Sequence, residues 1–157
     1  MNKHIHIVYM FMNLYKHQAI QFIVMIIVGM LFNPMNVLAY RVSDLFLSLT
    51  LFYGGVLMAS NMMWAHEIIH YLSMGHFNKY VFIVGIVLSV LTTFLLLKEQ
   101  LFVNDAQWLR RMIPHHSTAL TTTHNIFNKT KNDVVRQLAG NILKAQEDEI
   151  SLMKSLL

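Results

Sequence analysis

From Leu45 to Ala65 the chain runs 21 residues without a formal charge. On a helix rising about 1.5 Å per residue, that stretch crosses a hydrocarbon core about 30 Å thick. Two further apolar runs flank it, Gln18 to Phe32 and Tyr80 to Leu97. No water inside a bilayer is available to satisfy backbone groups, so runs of this kind are confined to helices or closed barrels. Their lengths favour helices.

Composition agrees. Apolar residues make up 55% and charged residues 13% of the 157-residue chain, against about 25% charge in ordinary soluble domains. Charge is sparse before Lys98 and dense after it. The expected fold class is all-α, with three transmembrane helices followed by an antiparallel helical hairpin. The expected spans are about 18–38, 45–74 and 80–97, inside a membrane domain of residues 1–100, with the hairpin at 105–157.

The first span reaches residue 38 only if Met35 to Tyr40 extends it beyond a break at Pro34. A basic start ahead of an apolar run also suits a secretory signal, but Val37 stands where a cleavage site before Tyr40 needs a small residue. A retained helix is expected. Ser43 and Asp44 are the expected caps of the second span. Lysines and arginines near the span ends set orientation. Lys3, Lys16 and Lys79 lie on the N-terminal side, and Arg41, Lys98, Arg110 and Arg111 on the other. The near-even balance leans towards an N-terminus in the cytoplasm. In a bacterial inner membrane, the hairpin would then be periplasmic.

The absence of cysteine removes disulfides and thiolate ligands. Twelve methionines and nine histidines stand out instead. The net charge of +4 forms no basic stripe, so nucleic acid is not an expected partner.

Two groups of these residues carry metal-binding chemistry. The first, "MASNMMWAHEIIHYLSMGH", contains the H-E-x-x-H pattern of zinc proteases, in which two histidines hold the metal and the glutamate activates water. His76 falls where the longer pattern places its third ligand, but Ser73 takes the glycine position and Gly75 comes two residues late. No sheet is expected, and no Asp or Glu lies in the first or third run, so a protease is the weaker reading. Met62, His66 and His70 also recur every four residues, a step that keeps neighbours on one helix face. Thioether and imidazole together suit Cu(I), with Glu67 as an outer partner. A methionine stripe also packs well, so simple packing stands beside the metal reading.

The second group lies in the tail. Met112, His115 and His116 are three and four residues apart, and Gln146, Glu149 and Met153 follow a common course along the last helix. Asp133 is its expected cap, with Val135, Leu138, Ile142, Ala145, Leu152 and Leu156 as its apolar positions. A lone hairpin has little core, so a homo-oligomer or the membrane domain is expected to cover it.

"WLRRMIPHHSTAL" and "LAGNILKAQEDEISLMKSL" resemble the domain-of-unknown-function family numbered 305, marked by M-I-x-H-H and a later A-Q-x-x-E-I-x-x-M. These are Met112, Ile113, His115 and His116, then Ala145, Gln146, Glu149, Ile150 and Met153. The resemblance implies a ferritin-like half-bundle and, through some relatives, copper or silver handling outside the cytoplasm. It would carry metal contact to Met112, His115, His116, Met153 and Glu149, with Gln146 beside them. Thr121, Thr122 and Thr123 stand where soluble members often have a methionine. The expected function is membrane-anchored binding of Cu(I) or silver, without catalysis and with zinc as the alternative ion. A metal-transport subunit, an H-E-x-x-H protease and a structural membrane protein are the competing readings.

Overall fold

Asn33 and Pro34 end the first long helix, and downstream further helices follow, with one longer irregular connection over residues 38–48. The computed structural model describes the backbone of residues 3–157 and the side chains from Tyr15 onward. The side chain of Lys3, used above for orientation, lies outside the described residues. Helix α1 spans Lys3–Leu31, α2 Pro34–Val37, α3 Leu49–Met74, α4 Lys79–Leu91, α5 Asp105–Lys129 and α6 Asp133–Ser155. A 3-10 turn covers Val42–Asp44, and a π-helical stretch, Thr92–Lys98, follows α4. The described residues contain no strand.

Proline fits the first turn of a helix because its missing N–H has no partner to lose there. Pro34 takes that place in α2, and the Asn33 side chain accepts from the Asn36 N–H at 3.0 Å. The cap expected at Ser43 or Asp44 falls instead to Ser48, whose hydroxyl accepts from the Leu51 N–H at 3.2 Å. Asp44 is wholly buried in the 3-10 turn and engaged elsewhere. At α6 the cap is Asn132, accepting from the Val134 and Val135 N–H groups. Asp133 is the first helical residue, where its charge suits the positive end of the helix dipole.

The chain divides into two compact units, one of residues 1–30 and 53–101, the other of residues 31–52 and 102–157. In the first unit small residues allow close helix approach. A Cβ on Gly55 would lie 2.8 Å from the Ile26 carbonyl oxygen, and one on Gly85 would lie 2.9 Å from the Trp64 nitrogen. Backbone contact at these distances excludes any side chain, so α1 and α4 each meet α3 at a glycine. The Tyr53 hydroxyl donates to the Leu101 carbonyl at 2.7 Å. Among the described residues, two segments are long and apolar enough to cross a membrane, Tyr15–Val37 and Lys79–Lys98. Both leave apolar side chains exposed: Ile20, Ile23, Val24 and Ile27 on α1, and Ile83, Val84, Val87 and Val90 on α4.

In the second unit α5 and α6 share a core of Leu109, Ile113, Leu120, Ile150 and Met153, with Phe46, Met112 and Leu143 packed against it. Pro114 sits inside α5 without ending it. The buried face of α6 differs from the expected apolar one. Ala139, Ile150 and Met153 are buried, whereas Val135, Leu138, Leu152 and Leu156 are exposed. The apolar positions of α6 are spread around more of the helix than one neighbour covers.

Candidate functional site

Residues 40–44 determine how the tail residues are held. The Ser117 hydroxyl donates to Asp44 Oδ2 at 2.6 Å and accepts from the Tyr40 N–H at 2.8 Å. Lys154 Nζ meets the other Asp44 oxygen at 2.5 Å. Arg41 forms a two-pronged pair with Glu147 at 2.6 and 2.9 Å, and the Tyr40 ring stacks on His124 with centres 4.9 Å apart. These anchors lie beside the candidate ligands in sequence: Ser117 follows His116, Glu147 precedes Glu149 by two, and Lys154 follows Met153. They set the rotation of both helices. Of them, Asp44 stood out in the sequence only as a cap, Arg41 only as a charge setting orientation and Tyr40 only as the end of the first span's extension.

Within that frame His116 of α5 meets Glu149 of α6. Its Nδ1 lies 2.9 Å from Glu149 Oε2. The pair is close, but the angle is not that of a hydrogen bond, and Nδ1 is buried without such a partner. His115 is exposed, with its ring centre 5.8 Å from that of His116. Partial burial, then His116, then Arg111 lower the His115 pKa below the ordinary 6.5. That shift favours the free base, the form that ligates metal.

Met153 is buried and Met112 partly buried, both within the apolar cluster. Each lies one turn along its helix from a candidate ligand, His115 and His116 in one case and Glu149 in the other. Gln146 is partly buried on the same helix. Among the described residues, no three His, Cys, Asp or Glu side chains close on one point as a complete metal cage. The structure therefore joins His115, His116 and Glu149 in pairs and places the two sulfurs in the neighbouring core.

The H-E-x-x-H segment is ordered differently from the expected stripe. Met62 lines a small gap with Gln18, Gln21, Phe22, Met25 and Ala59, and Met58 lies where a Gly29 side chain would go. These methionines pack against α1. Glu67 is buried, and its Oε2 accepts from the Asn78 N–H at 2.8 Å. Its carboxylate fastens the turn between α3 and α4. His66 and His70 lie near each other, with ring centres 5.9 Å apart.

A pair of packed helices in which a histidine of one faces a carboxylate of the other, steadied by the preceding residues 31–52, defines a small helical His/Glu domain. Residues 97–157 match the family model described as Domain of unknown function (DUF305), and the chain belongs to that family. It is also similar to a viral protein, "Uncharacterized protein L153" of Acanthamoeba polyphaga mimivirus. The two are 34% identical over 127 residues, 80% of this chain and 81% of the relative. No solved structure matches the chain.

Proposed function

We propose that this protein is anchored in a membrane by three helices, at about 18–38, 45–74 and 80–97, and that it binds a soft metal ion, copper(I) or silver(I), without catalysing a reaction. The α5–α6 pair is then an antiparallel, ferritin-like hairpin on the side away from the cytoplasm. The observation that carries the reading is the approach of His116 to Glu149 across the two helices, beside His115, whose pKa is lowered by burial and its charged neighbours. Met112 and Met153, one turn away on the same helices, pack in the adjoining core, and their flexible side chains would turn out of it to offer thioethers to the ion. Soft sulfur with imidazole selects Cu(I) and its congeners over magnesium or calcium.

The exposed apolar faces of α1 and α4 support the bilayer as a partner, since large uncovered apolar patches mark membrane or protein contacts. The uncovered Leu138, Leu152 and Leu156 support pairing of the tail with a second copy. Glu67, tied to Asn78, supports a binding role over a protease, because its carboxylate already holds a backbone N–H.

Titration of the purified full-length protein with silver(I) or copper(I) against a competing chelator tests the proposal. The combined change His115→Ala and His116→Ala should lower affinity at least tenfold, since even outer partners of a ligand are worth about 10–100-fold. Unchanged affinity would remove the tail as the site.

A further inference from the structure

The turn after α3 brings a third histidine back to the two in the H-E-x-x-H segment. Helix α3 ends at Met74, and Gly75 adopts φ +71°, a left-handed conformation that glycine takes without a Cβ penalty. The chain reverses there. The His76 carbonyl oxygen comes 3.2 Å from His70 Nδ1, and the His76 ring centre lies 6.1 Å from that of His70. The His66 and His76 rings thus each lie beside that of His70, at 5.9 and 6.1 Å with interplanar angles of 16° and 26°, and do not yet converge on one point.

This arrangement is held from both sides. Glu67 binds the Asn78 N–H, and Phe77, next to His76, packs against Tyr71 of α3 and Phe82 of α4 with ring centres 5.9 and 5.1 Å away. His66 Nδ1 is buried with no hydrogen-bond partner among the described residues. A buried polar atom left without a partner is rare in folded proteins and calls for an ion, a water or a functional role.

We infer that His66, His70 and His76 form a second metal site, made of nitrogen alone, that takes a divalent ion of borderline softness such as zinc. Met62 and Met58 face α1, so the thioethers that would favour Cu(I) are withdrawn from this end. Imidazole without sulfur suits zinc, nickel and copper(II). With its Nδ1 hydrogen directed at the His76 carbonyl, His70 presents Nε2 to the ion. The rings stand open, and each must turn to bring a nitrogen to about 2.0–2.1 Å from zinc. The outer torsion of histidine is soft enough for that rotation. Glu67 is occupied by Asn78, so water or a further group completes the shell. This site is independent of the one on α5 and α6.

Equilibrium dialysis of the full-length protein in detergent against zinc chloride, with bound zinc counted per chain, tests the inference. The unmodified protein should retain zinc, and His70→Ala and His76→Ala should each weaken it at least tenfold, on the scale of about 10–100-fold for outer partners alone. His76 is exposed, so its replacement leaves the packing untouched, and circular dichroism verifies that the helices persist. His115→Ala with His116→Ala should leave zinc binding intact while reducing silver binding. Absence of bound zinc, zinc indifferent to both His70→Ala and His76→Ala, or zinc lost only with the tail substitutions would each overturn the site. The silver titration reports separately on the tail.

Discussion

Lys154 Nζ lies 2.5 Å from Asp44 Oδ1, and Asp44 has no exposed surface. A residue in the last turn of α6 thus neutralises a carboxylate that precedes it by 110 positions. Taking one partner from a buried ion pair leaves a charge without compensation, at a cost of about 3–5 kcal/mol. Ser117 still donates to Asp44, so Lys154→Met should destabilise the second unit by about 3 kcal/mol, near the low end. Denaturant unfolding followed through that unit measures it. Adding Asp44→Asn to Lys154→Met should restore part of the loss, because the uncompensated charge is gone.

His115 titrates below the ordinary histidine pKa, so the folded protein takes up its proton later than the unfolded chain. Above pH 6.5 both forms are neutral and the group contributes nothing to pH dependence. As pH falls below 6.5 the unfolded chain is protonated first, and stability declines until the folded-state pKa is also passed. Nuclear magnetic resonance of the imidazole should give a midpoint below 6.5 for His115. Silver affinity should likewise persist to lower pH than for an unperturbed imidazole. Arg111→Met, which removes one nearby positive charge, should move the midpoint upward.

Glu149 contributes charge to the tail site as well as an oxygen. Glu149→Gln keeps the shape of the side chain and removes the charge facing His116 Nδ1. Silver or copper(I) affinity should fall about tenfold, the lower limit for losing a partner that orients a ligand. Competition titration measures the change, and affinity equal to that of the unmodified protein would exclude Glu149 from the site.

Gly54 and Gly55 are adjacent in α3 but meet different surroundings. A Cβ on Gly54 has nothing within 4 Å, whereas one on Gly55 runs into the Ile26 carbonyl. Alanine is favoured over glycine inside a helix by about 0.5–1 kcal/mol. Gly54→Ala should therefore raise thermal stability slightly or leave it unchanged. Gly55→Ala should lower it by forcing α1 and α3 apart. Melting curves of the two variants in the same detergent make the comparison, and equal curves would exclude the close crossing.

Much of the helical layout was legible from local pattern. The three apolar runs, the break at Pro34 and the turn between α5 and α6 follow from hydropathy and from residues that stop or start helices. The buried face of α6 was not legible, because Leu138, Leu152 and Leu156 satisfy the same periodicity as Ala139, Ile150 and Met153, and only the position of α5 chooses between them. The partnership of residues 40–44 with α5 and α6 was hidden for a different reason. Contacts such as Asp44 with Ser117 and Lys154 leave no spacing in the chain, and Asp44 ahead of an apolar run looks like an ordinary helix start. Of the candidate site, helical register grouped Met112, His115 and His116 on one helix and Gln146, Glu149 and Met153 on the next, but that His116 is the one to meet Glu149 depended on how α5 and α6 pack. The separation of Met62 from His66 and His70 depended on where α1 lies. Gly75, set aside because it departs from the protease spacing, was the residue that marked the return of His76.

The strap of residues 31–52 has a practical consequence for anyone who wishes to excise the tail as a water-soluble fragment. A piece starting at residue 102 would lack Phe46, which covers the apolar cluster, and Asp44, which receives Ser117 and Lys154. It would present bare core and a stranded ammonium. A fragment that behaves well must splice both stretches together, for instance by joining residues 31–52 to 102–157 through a flexible tether in place of the intervening helices.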